Sequence, residues 1–123
     1  MTVGAWDPYQ RDCPSRLLLD RIGDRWTVLI VGTLDAGPRR FTEIATAVDG
    51  ISQKMLTQTL RSLERDGFVS RTAYPVVPPH VEYELTELGR SLRQQLRELE
   101  SWAVENMDDV VRRQAAYDQR VAS

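Results

Sequence analysis

The sequence predicts a mainly α-helical fold with one small β-hairpin, an α+β arrangement in which a long helix forms the C-terminal part. Three observations predict it. Apolar residues recur every three or four positions through most of the chain, which is the period of a buried helix face. Residues 68–74 and 81–85 instead carry β-branched and aromatic side chains, alternating at period two in the second run. The 123 residues leave room for one hydrophobic core and little for a second.

Two helices are predicted near the N-terminus. Pro14 fits the first position of a helix, where its missing N–H costs nothing, and Gly23 ends that helix. Its apolar face consists of Leu17, Leu18 and Ile22. The second helix is expected from about residue 25 to 34, because its apolar spacing stops at the DAGP turn of residues 35–38.

A pair of helices joined by a tight turn follows a brief extended piece at residues 39–41. Thr42 is expected to cap a short helix that stops at Asp49 and Gly50. Ser52 is expected to cap the next helix, which runs to about residue 66 and ends at Gly67. The order of these elements is typical of a helix-turn-helix.

The two predicted strands are separated by the stiff segment PVVPPH at residues 75–80. Proline donates no backbone N–H, so this segment forms a loop or a hairpin tip rather than the interior of a sheet. A hairpin that follows a helix-turn-helix is a wing, and the fold predicted is therefore a winged helix-turn-helix.

A long helix is predicted from Thr86 onwards, and its apolar residues form one stripe. They are Leu88, Leu92, Leu96, Leu99, Ala103, Met107 and Val110. The stripe is longer than a domain of this size needs for its own core, which favours an oligomer. Residues 112–123 turn polar and are expected to fray.

Composition argues against several function classes. The single cysteine, Cys13, excludes an internal disulfide, and the single histidine, His80, argues against a His/Cys zinc site and against a histidine-based catalytic triad. Glycine-rich phosphate loops are missing too, so we expect no enzyme activity, no metal and no cofactor. No apolar run reaches the roughly 20 residues of a membrane span, and Met1 opens no signal-peptide pattern, so a soluble cytoplasmic protein is expected.

The net charge of −2 does not by itself favour DNA, so the placement of the sixteen basic residues matters. Successive helical residues are turned by about 100°, which brings four polar residues of the helix at 52–66 within about 40° of one direction. They are Lys54, Gln58, Arg61 and Arg65. Leu56, Leu60 and Leu63 fall on roughly the opposite side, where they would pack. This pattern alone is equally typical of a solvated surface helix; the neighbouring helix and hairpin favour DNA binding.

Candidate DNA-binding residues follow from this geometry. The N-terminal part of such a helix reaches deepest into the major groove, where Gln, Arg, Lys and Thr side chains can address bases. We therefore assign Gln53, Lys54, Thr57 and Gln58 to bases, with Ser52 at the cap. Arg61 is assigned to phosphate, whereas Arg65 is omitted because Glu64 and Asp66 flank it.

Further candidates lie outside this helix. Arg39 and Arg40, just before Thr42, could clamp phosphates on either side of the groove, although each fits a solvated turn equally well. His80 and its stiff loop could follow the minor groove, where a neutral imidazole adds little Coulomb attraction. Trp26 and Trp102 are expected in the core; the alternative is a pocket for an aromatic effector.

Several runs of this sequence resemble the HxlR-type transcriptional regulators, which have a MarR-like winged-helix fold. The similarity lies in Cys13-Pro14, IGDRWT at 22–27, GPRRFTEI at 37–44, GISQKMLT at 50–57, DGFV at 66–69, YP at 74–75, VPP at 77–79 and VEYELTELG at 81–89. It covers about residues 13–92 in matched order and spacing. Two positions depart from the family pattern: His80 stands where arginine is common, and Asp24-Arg25-Trp26 replaces Gly-Lys-Trp.

The resemblance implies a homodimer that binds a pseudo-palindromic operator in duplex DNA near prokaryotic promoters, on the nucleoid. The single domain, residues 1–123, would divide into a DNA-binding core at about 38–86 and dimerisation segments at about 1–22 and 87–118. Some relatives sense oxidants or electrophiles through the cysteine that Cys13 matches. A helix N-terminus lowers a thiol pKa, which suits this role; a packed cysteine at the dimer seam is an equal alternative.

The sequence is therefore compatible with two functions from different classes. The first is a sequence-specific DNA-binding regulator with an oxidant or small-molecule effector of unknown identity. The alternative is a winged-helix protein-interaction module without DNA binding, which the acidic net charge and His80 favour. The acid-free face of Lys54, Gln58 and Arg61 favours the regulator.

Overall fold

The computed structural model describes residues 5–122 and contains five helices and three strands. In chain order they are α1 (Pro14–Ile22), α2 (Arg25–Thr33), β1 (Arg39–Arg40), α3 (Phe41–Ala47), α4 (Gln53–Arg65), β2 (Val69–Tyr74), β3 (His80–Leu85) and α5 (Glu87–Ala122). This is the predicted mainly α-helical winged helix-turn-helix: α3 and α4 form the helix-turn-helix, and β2 and β3 with their loop form the wing.

The sheet has one strand more than the predicted hairpin. All three strands pair antiparallel in the order β1-β3-β2, with Arg39 opposite Tyr83 and Val69 opposite Leu85. The extended piece at residues 39–40 is therefore the third strand, which ties the start of the helix-turn-helix to the wing. Its partner lies more than 40 positions away in sequence, so local patterning could not identify the pairing.

Capping residues explain where the two central helices begin. The Ser52 hydroxyl accepts a hydrogen bond from the Met55 N–H at 3.0 Å, as predicted. The prediction that Thr42 caps α3 was wrong: Arg40 is the capping position, and the Glu43 side chain accepts from the Arg40 N–H at 2.8 Å. Pairing of β1 with β3 holds Arg40 extended, so the helix begins directly behind the strand and Thr42 falls inside its first turn.

The core lies between α2, α3 and α4, with the wing and α5 closing it. Its fully buried aliphatic side chains include Ile30, Leu34, Ile44, Leu56, Leu60 and Leu63. From α5 only Leu96 joins the buried cluster among the described residues, with Leu92 partly buried beside it. The packing prediction for the leucines of α4 is thereby confirmed.

The N- and C-terminal helices leave apolar side chains outside this core. Every residue of α1 is at least partly exposed, and the Leu17 side chain is 66% exposed. Trp26 packs against the core as predicted, but Trp102 is 59% exposed, so its assignment to the core was wrong. The reason is the length of α5: 36 residues span about 54 Å, which carries Trp102 past the body of the domain.

The prediction that the chain frays from residue 112 was also wrong, because α5 continues to Ala122. Asp109 lies 3.3 Å from Arg112 and 3.2 Å from Arg113, pairs that join successive turns of a helix. Polar composition indicated solvent exposure there, not the loss of helical structure.

Candidate nucleic-acid interface

The outward side of α4 is the centre of the candidate interface. Its inward side is occupied by the three predicted leucines together with Thr59, whose hydroxyl donates to the Met55 carbonyl at 2.8 Å. Lys54, Gln58 and Arg61 are exposed on the opposite side, and Gln53 is exposed in the first turn. The arrangement presents one lysine, one arginine and two amides to solvent along about two helical turns.

Two depressions flank this outward side. One, of about 500 Å³, lies between α4 and the sheet, and Gln53, Thr57 and Arg61 line it. We call it the α4–wing cleft; Arg71 of β2 and Tyr83 of β3 form its far wall. The other, of about 220 Å³, lies between α4 and the first two helices, and Gln58 lines it. Thus the structure places Gln53, Thr57 and Arg61 beside the wing, and Gln58 on the other flank.

Arg39 and Arg40 do not form a common cationic patch. Successive strand residues point to opposite sides of a sheet, so the two side chains diverge. The Arg39 Nε donates to the Thr33 carbonyl at 2.9 Å and the residue is half-buried, whereas Arg40 is exposed. Arg40 and the exposed Thr42 lie together at the start of α3.

His80 lies at the base of the wing loop and is partly shielded. Its ring stacks on Tyr74 with centroids 4.8 Å apart, and its Nε2 lies 3.0 Å from a carboxylate oxygen of Glu82. That carboxylate would offset any positive charge on the imidazole. The loop beyond is apolar at its tip, where the Val77 side chain is 99% exposed.

Cys13 lies at the N-terminal end of α1 and is partly exposed. The Asp7 N–H donates to its Sγ at 3.1 Å, and the Ser15 Oγ lies 3.0 Å from the same sulfur. Hydrogen bonds to sulfur stabilise the thiolate, so the Ser15 hydroxyl first, and then the backbone N–H of Asp7, lower the pKa of the Cys13 thiol.

Two properties of the described residues complete the description of the site. Within residues 5–122, no group of three or more His, Cys, Asp or Glu side chains is placed to hold a metal ion. In the same range, no helix combines the length and apolar character that a membrane crossing requires.

Residues 21–111 match the family of HxlR-like helix-turn-helix proteins. The chain belongs to the HxlR family. It is 44% identical over 114 residues to the uncharacterised HTH-type transcriptional regulator YtfH of Escherichia coli (strain K12), an alignment that covers 93% of this chain and 88% of YtfH. The resemblance inferred from the sequence is thereby confirmed, and the chain is a transcriptional regulator of the helix-turn-helix type.

Solved structures of similar chains show the same fold. The ytfH protein of Salmonella typhimurium is 41% identical, with a TM-score of 0.84 over 89% of this chain and 98% of that one. The redox regulator HypR in its oxidised form is also 41% identical, with a TM-score of 0.71 over 76% of this chain and 97% of HypR. The MarR-like winged-helix fold is confirmed by these similarities.

In this HxlR chain the structure also reveals an interface candidate that the sequence reasoning missed. Arg71 is exposed on β2 and faces α4 across the cleft. Strand alternation could have identified it, because Val69 is buried against the core and Arg71, two residues later, shares that side of the strand. The cationic candidates predicted from the sequence come from the helix, the segment just before Thr42 and the wing loop, and none lies on the predicted strands.

Proposed function

We propose that this HxlR-family chain binds a pseudo-palindromic operator in duplex DNA as a homodimer and thereby regulates transcription in the cytoplasm. The observation that carries the proposal is the outward side of α4, where Lys54, Gln58 and Arg61 are all exposed and Arg61 lies beside the wing. A helix of this size fits the major groove of B-DNA, and its N-terminal turns reach the base edges.

Within that proposal, the side chains form two groups, those that contact base edges and those that contact phosphates. Gln53, Lys54, Thr57 and Gln58 address base edges from the first two turns of α4. Ser52 presents its backbone at the same end while its hydroxyl is used by the cap. Arg40, Thr42 and Arg61 meet phosphates. Arg39 contributes less, because its Nε already donates within the fold, and His80 contributes less because Glu82 pairs with it.

The homodimer is supported by two apolar surfaces that the described single chain leaves exposed. One is on α1 and comprises Leu17, Leu18 and Leu19. The other is on α5 and consists of Leu88, Leu99 and Met107 of the predicted stripe together with the exposed Trp102, which we count with the α5 stripe from here on. Large exposed apolar surfaces of this kind are typical of protein interfaces, and a second copy would cover both. Residues 1–22 and 87–118 are thus the proposed dimerisation segments, and residues 38–86 the DNA-binding core.

The direct test selects bound fragments from a library of prokaryotic genomic DNA. We expect enrichment of a pseudo-palindrome whose half-sites are about one helical turn apart, as for other dimeric helix-turn-helix proteins. Affinity for the selected fragment should fall steeply with salt, by roughly one power of salt concentration per phosphate contact. Equal recovery of selected and random fragments would instead favour a protein-interaction module.

We further propose that Cys13 makes DNA binding sensitive to oxidants. The lowered pKa of its thiol and its partial exposure support this role, as does similarity to a protein named a redox regulator. Hydrogen peroxide would convert the thiolate to a sulfenic acid with release of hydroxide. The chain has one cysteine, so a subsequent disulfide, formed with loss of water, requires the thiol of another molecule.

The oxidation proposal is tested by repeating the fragment selection with peroxide-treated and reduced protein, alongside Cys13→Ser. We expect peroxide to change operator affinity in the parent chain and leave the serine variant unaffected. Equal responses of both proteins would exclude Cys13 as the sensing residue and would favour the alternative of a packed, structural cysteine.

A further inference from the structure

The α4–wing cleft has a helix wall and a sheet wall, each with one arginine. Arg61 and Glu64 line the helix wall, and Arg71 and Tyr83 line the sheet wall. Arg71 stands directly opposite Tyr83 in the β2–β3 register, so both belong to the same strand pair. The cleft measures about 500 Å³ and opens to solvent on the same side as the outward residues of α4.

Neither arginine has an ion-pair partner among the described residues, whereas several other arginines of this chain do. Arg21 pairs with Asp66, and Arg93 and Arg97 pair with Asp35. Arg61 and Arg71, in contrast, form no ion pair with any of the residues 5–122. Of the lining residues that the structure describes, one carries a carboxylate, Glu64, which forms an ion pair with neither arginine, so the two exposed guanidinium groups give the cleft a net positive charge that attracts an anion.

The groove geometry of duplex DNA indicates which anion that is. A helix in the major groove and a wing over the adjacent minor groove are separated by the sugar-phosphate chain that divides the two grooves. That chain must therefore pass between α4 and the wing, where the cleft lies. Arginine is well suited to this position, because its planar fork can donate two hydrogen bonds to one phosphate.

We propose that the α4–wing cleft binds a backbone phosphate of DNA, with Arg71 as a phosphate-binding residue that acts together with Arg61. This inference rests on the proposed function, because it takes α4 to occupy the major groove. Arg71 contacts no base and therefore contributes to affinity for every sequence alike. Its role is to fix the angle at which α4 enters the groove, since it anchors the DNA chain to the wing.

The proposal also predicts that a substitution at Glu64 changes DNA affinity in the opposite direction to a substitution at Arg71. Its carboxylate lines the same cleft and therefore opposes binding of a phosphate there. Replacing it by glutamine removes the negative charge and keeps the shape. Glu64→Gln is expected to raise affinity for random-sequence DNA several-fold, the reverse of the change expected for the arginine.

The test measures binding of the full chain to a labelled random-sequence duplex of about 30 base pairs, three helical turns, by fluorescence anisotropy. Affinity is followed from about 50 to 200 mM KCl. Arg71→Ala is expected to weaken binding. It should also make the fall of log affinity with log salt less steep, by about 1 per protomer or about 2 for a dimer. Arg71→Lys keeps the charge and should keep the slope.

Arg120→Ala is the matched control, because it removes one arginine from the C-terminal end of α5, beyond residues 87–118 of the proposed dimerisation segment. It should leave the slope unchanged. Thermal unfolding of each variant verifies the fold, and Arg71→Gln replaces Arg71→Ala if the alanine variant is unfolded.

Each outcome supports or overturns a defined statement. An unchanged slope in folded Arg71→Ala or Arg71→Gln, with normal salt dependence in the parent, overturns the phosphate assignment and leaves the proposed function intact. A reduced slope in Arg120→Ala as well would show a general charge effect and equally overturn it. If the parent chain itself binds the duplex without salt dependence, or not at all, the proposed DNA-binding function fails.

Discussion

Thr57 and Gln58 are successive residues of α4 that face different neighbours. Thr57 lines the α4–wing cleft, whereas Gln58 lines the smaller depression beside α2. The Gln58 amide therefore stands away from the phosphate chain between wing and helix and is free to address a base. We expect Gln58→Ala to relax specificity at one base position, at a cost of about 1–3 kcal/mol on the matched operator.

The measurement is binding to the selected operator and to each single-base variant of one half-site. Gln94→Ala, on the exposed side of α5, serves as the control and should preserve the full preference. If Gln58→Ala binds every variant with the preference of the parent chain, Gln58 does not read a base.

The hydrogen bonds around Cys13 give a pH-dependent prediction. Because the pKa of the thiol is lowered in the folded chain, its thiolate fraction below the ordinary cysteine pKa exceeds that of an unfolded chain. By the same linkage, the thiolate stabilises the folded chain at pH values above the pKa that Cys13 has in the unfolded chain. This stabilisation is lost as the pH falls through the lower pKa that Cys13 has in the folded chain. Iodoacetamide should therefore alkylate native Cys13 with a midpoint pH below that of the denatured chain.

Ser15→Ala removes the largest contribution to this shift and should move the alkylation midpoint upward. The rate is followed by mass spectrometry across the pH range, with a free-thiol peptide as reference. Coincident midpoints for the native and denatured parent would contradict the assignment of these hydrogen bonds to the thiolate.

At the scale of elements, sequence reasoning succeeded where boundaries are set by neighbouring residues. The helix with Ser52 at its cap and Gly67 at its end agrees with α4 to within about one residue, because a hydroxyl cap and a glycine at φ 85° act locally. It failed at Thr42, because the distant strand β3 fixes the start of α3. For Arg71, strand alternation indicates the side of β2 that it shares with Val69, but its position opposite α4 depends on how the wing packs against that helix.

The junction between the wing and α5 depends on close backbone approach at Gly89. The glycine is buried in the first turn of α5, and its N–H donates to the Thr86 hydroxyl at 3.0 Å. A Cβ placed there would lie 2.0 Å from the Phe68 carbonyl oxygen, so backbone must move to admit it. Gly89→Ala is expected to lower the free energy of unfolding by about 1–3 kcal/mol or more, through overpacking.

Urea unfolding of the full chain measures this change, with Gly37→Ala for comparison. Gly37 has open space around its Cβ position but a φ of 137°, so its alanine variant tests backbone strain without a steric clash. A Gly89→Ala variant as stable as the parent would show that α5 can shift away from β2 at no cost.

In the whole molecule, basic residues in different parts of the chain have different partners, which the net charge of −2 does not show. The cationic residues proposed to meet DNA lie around α4 and the wing, whereas those of α5 are largely engaged in ion pairs with acidic neighbours. Duplex DNA responds to the local arrangement of charge, so an acidic total is compatible with operator binding. The apolar α5 stripe runs on beyond the part of α5 that packs on its own domain.

Dimerisation through that stripe is best tested by a substitution. Cutting the chain after Arg90 would also remove Leu96 from the core and Arg93 from its ion pairs, so loss of DNA binding could reflect unfolding. Trp102 is exposed and lies outside that core, so Trp102→Glu places a charge on the stripe and leaves the fold of one protomer intact. We expect sedimentation of a folded monomer and much weaker operator binding, because each half-site then binds without the other.

Glu105→Gln, one turn further along the exposed helix, should sediment as the parent does. A Trp102→Glu chain that remains dimeric would place the dimer contact elsewhere, with the leucines of α1 as the remaining apolar surface.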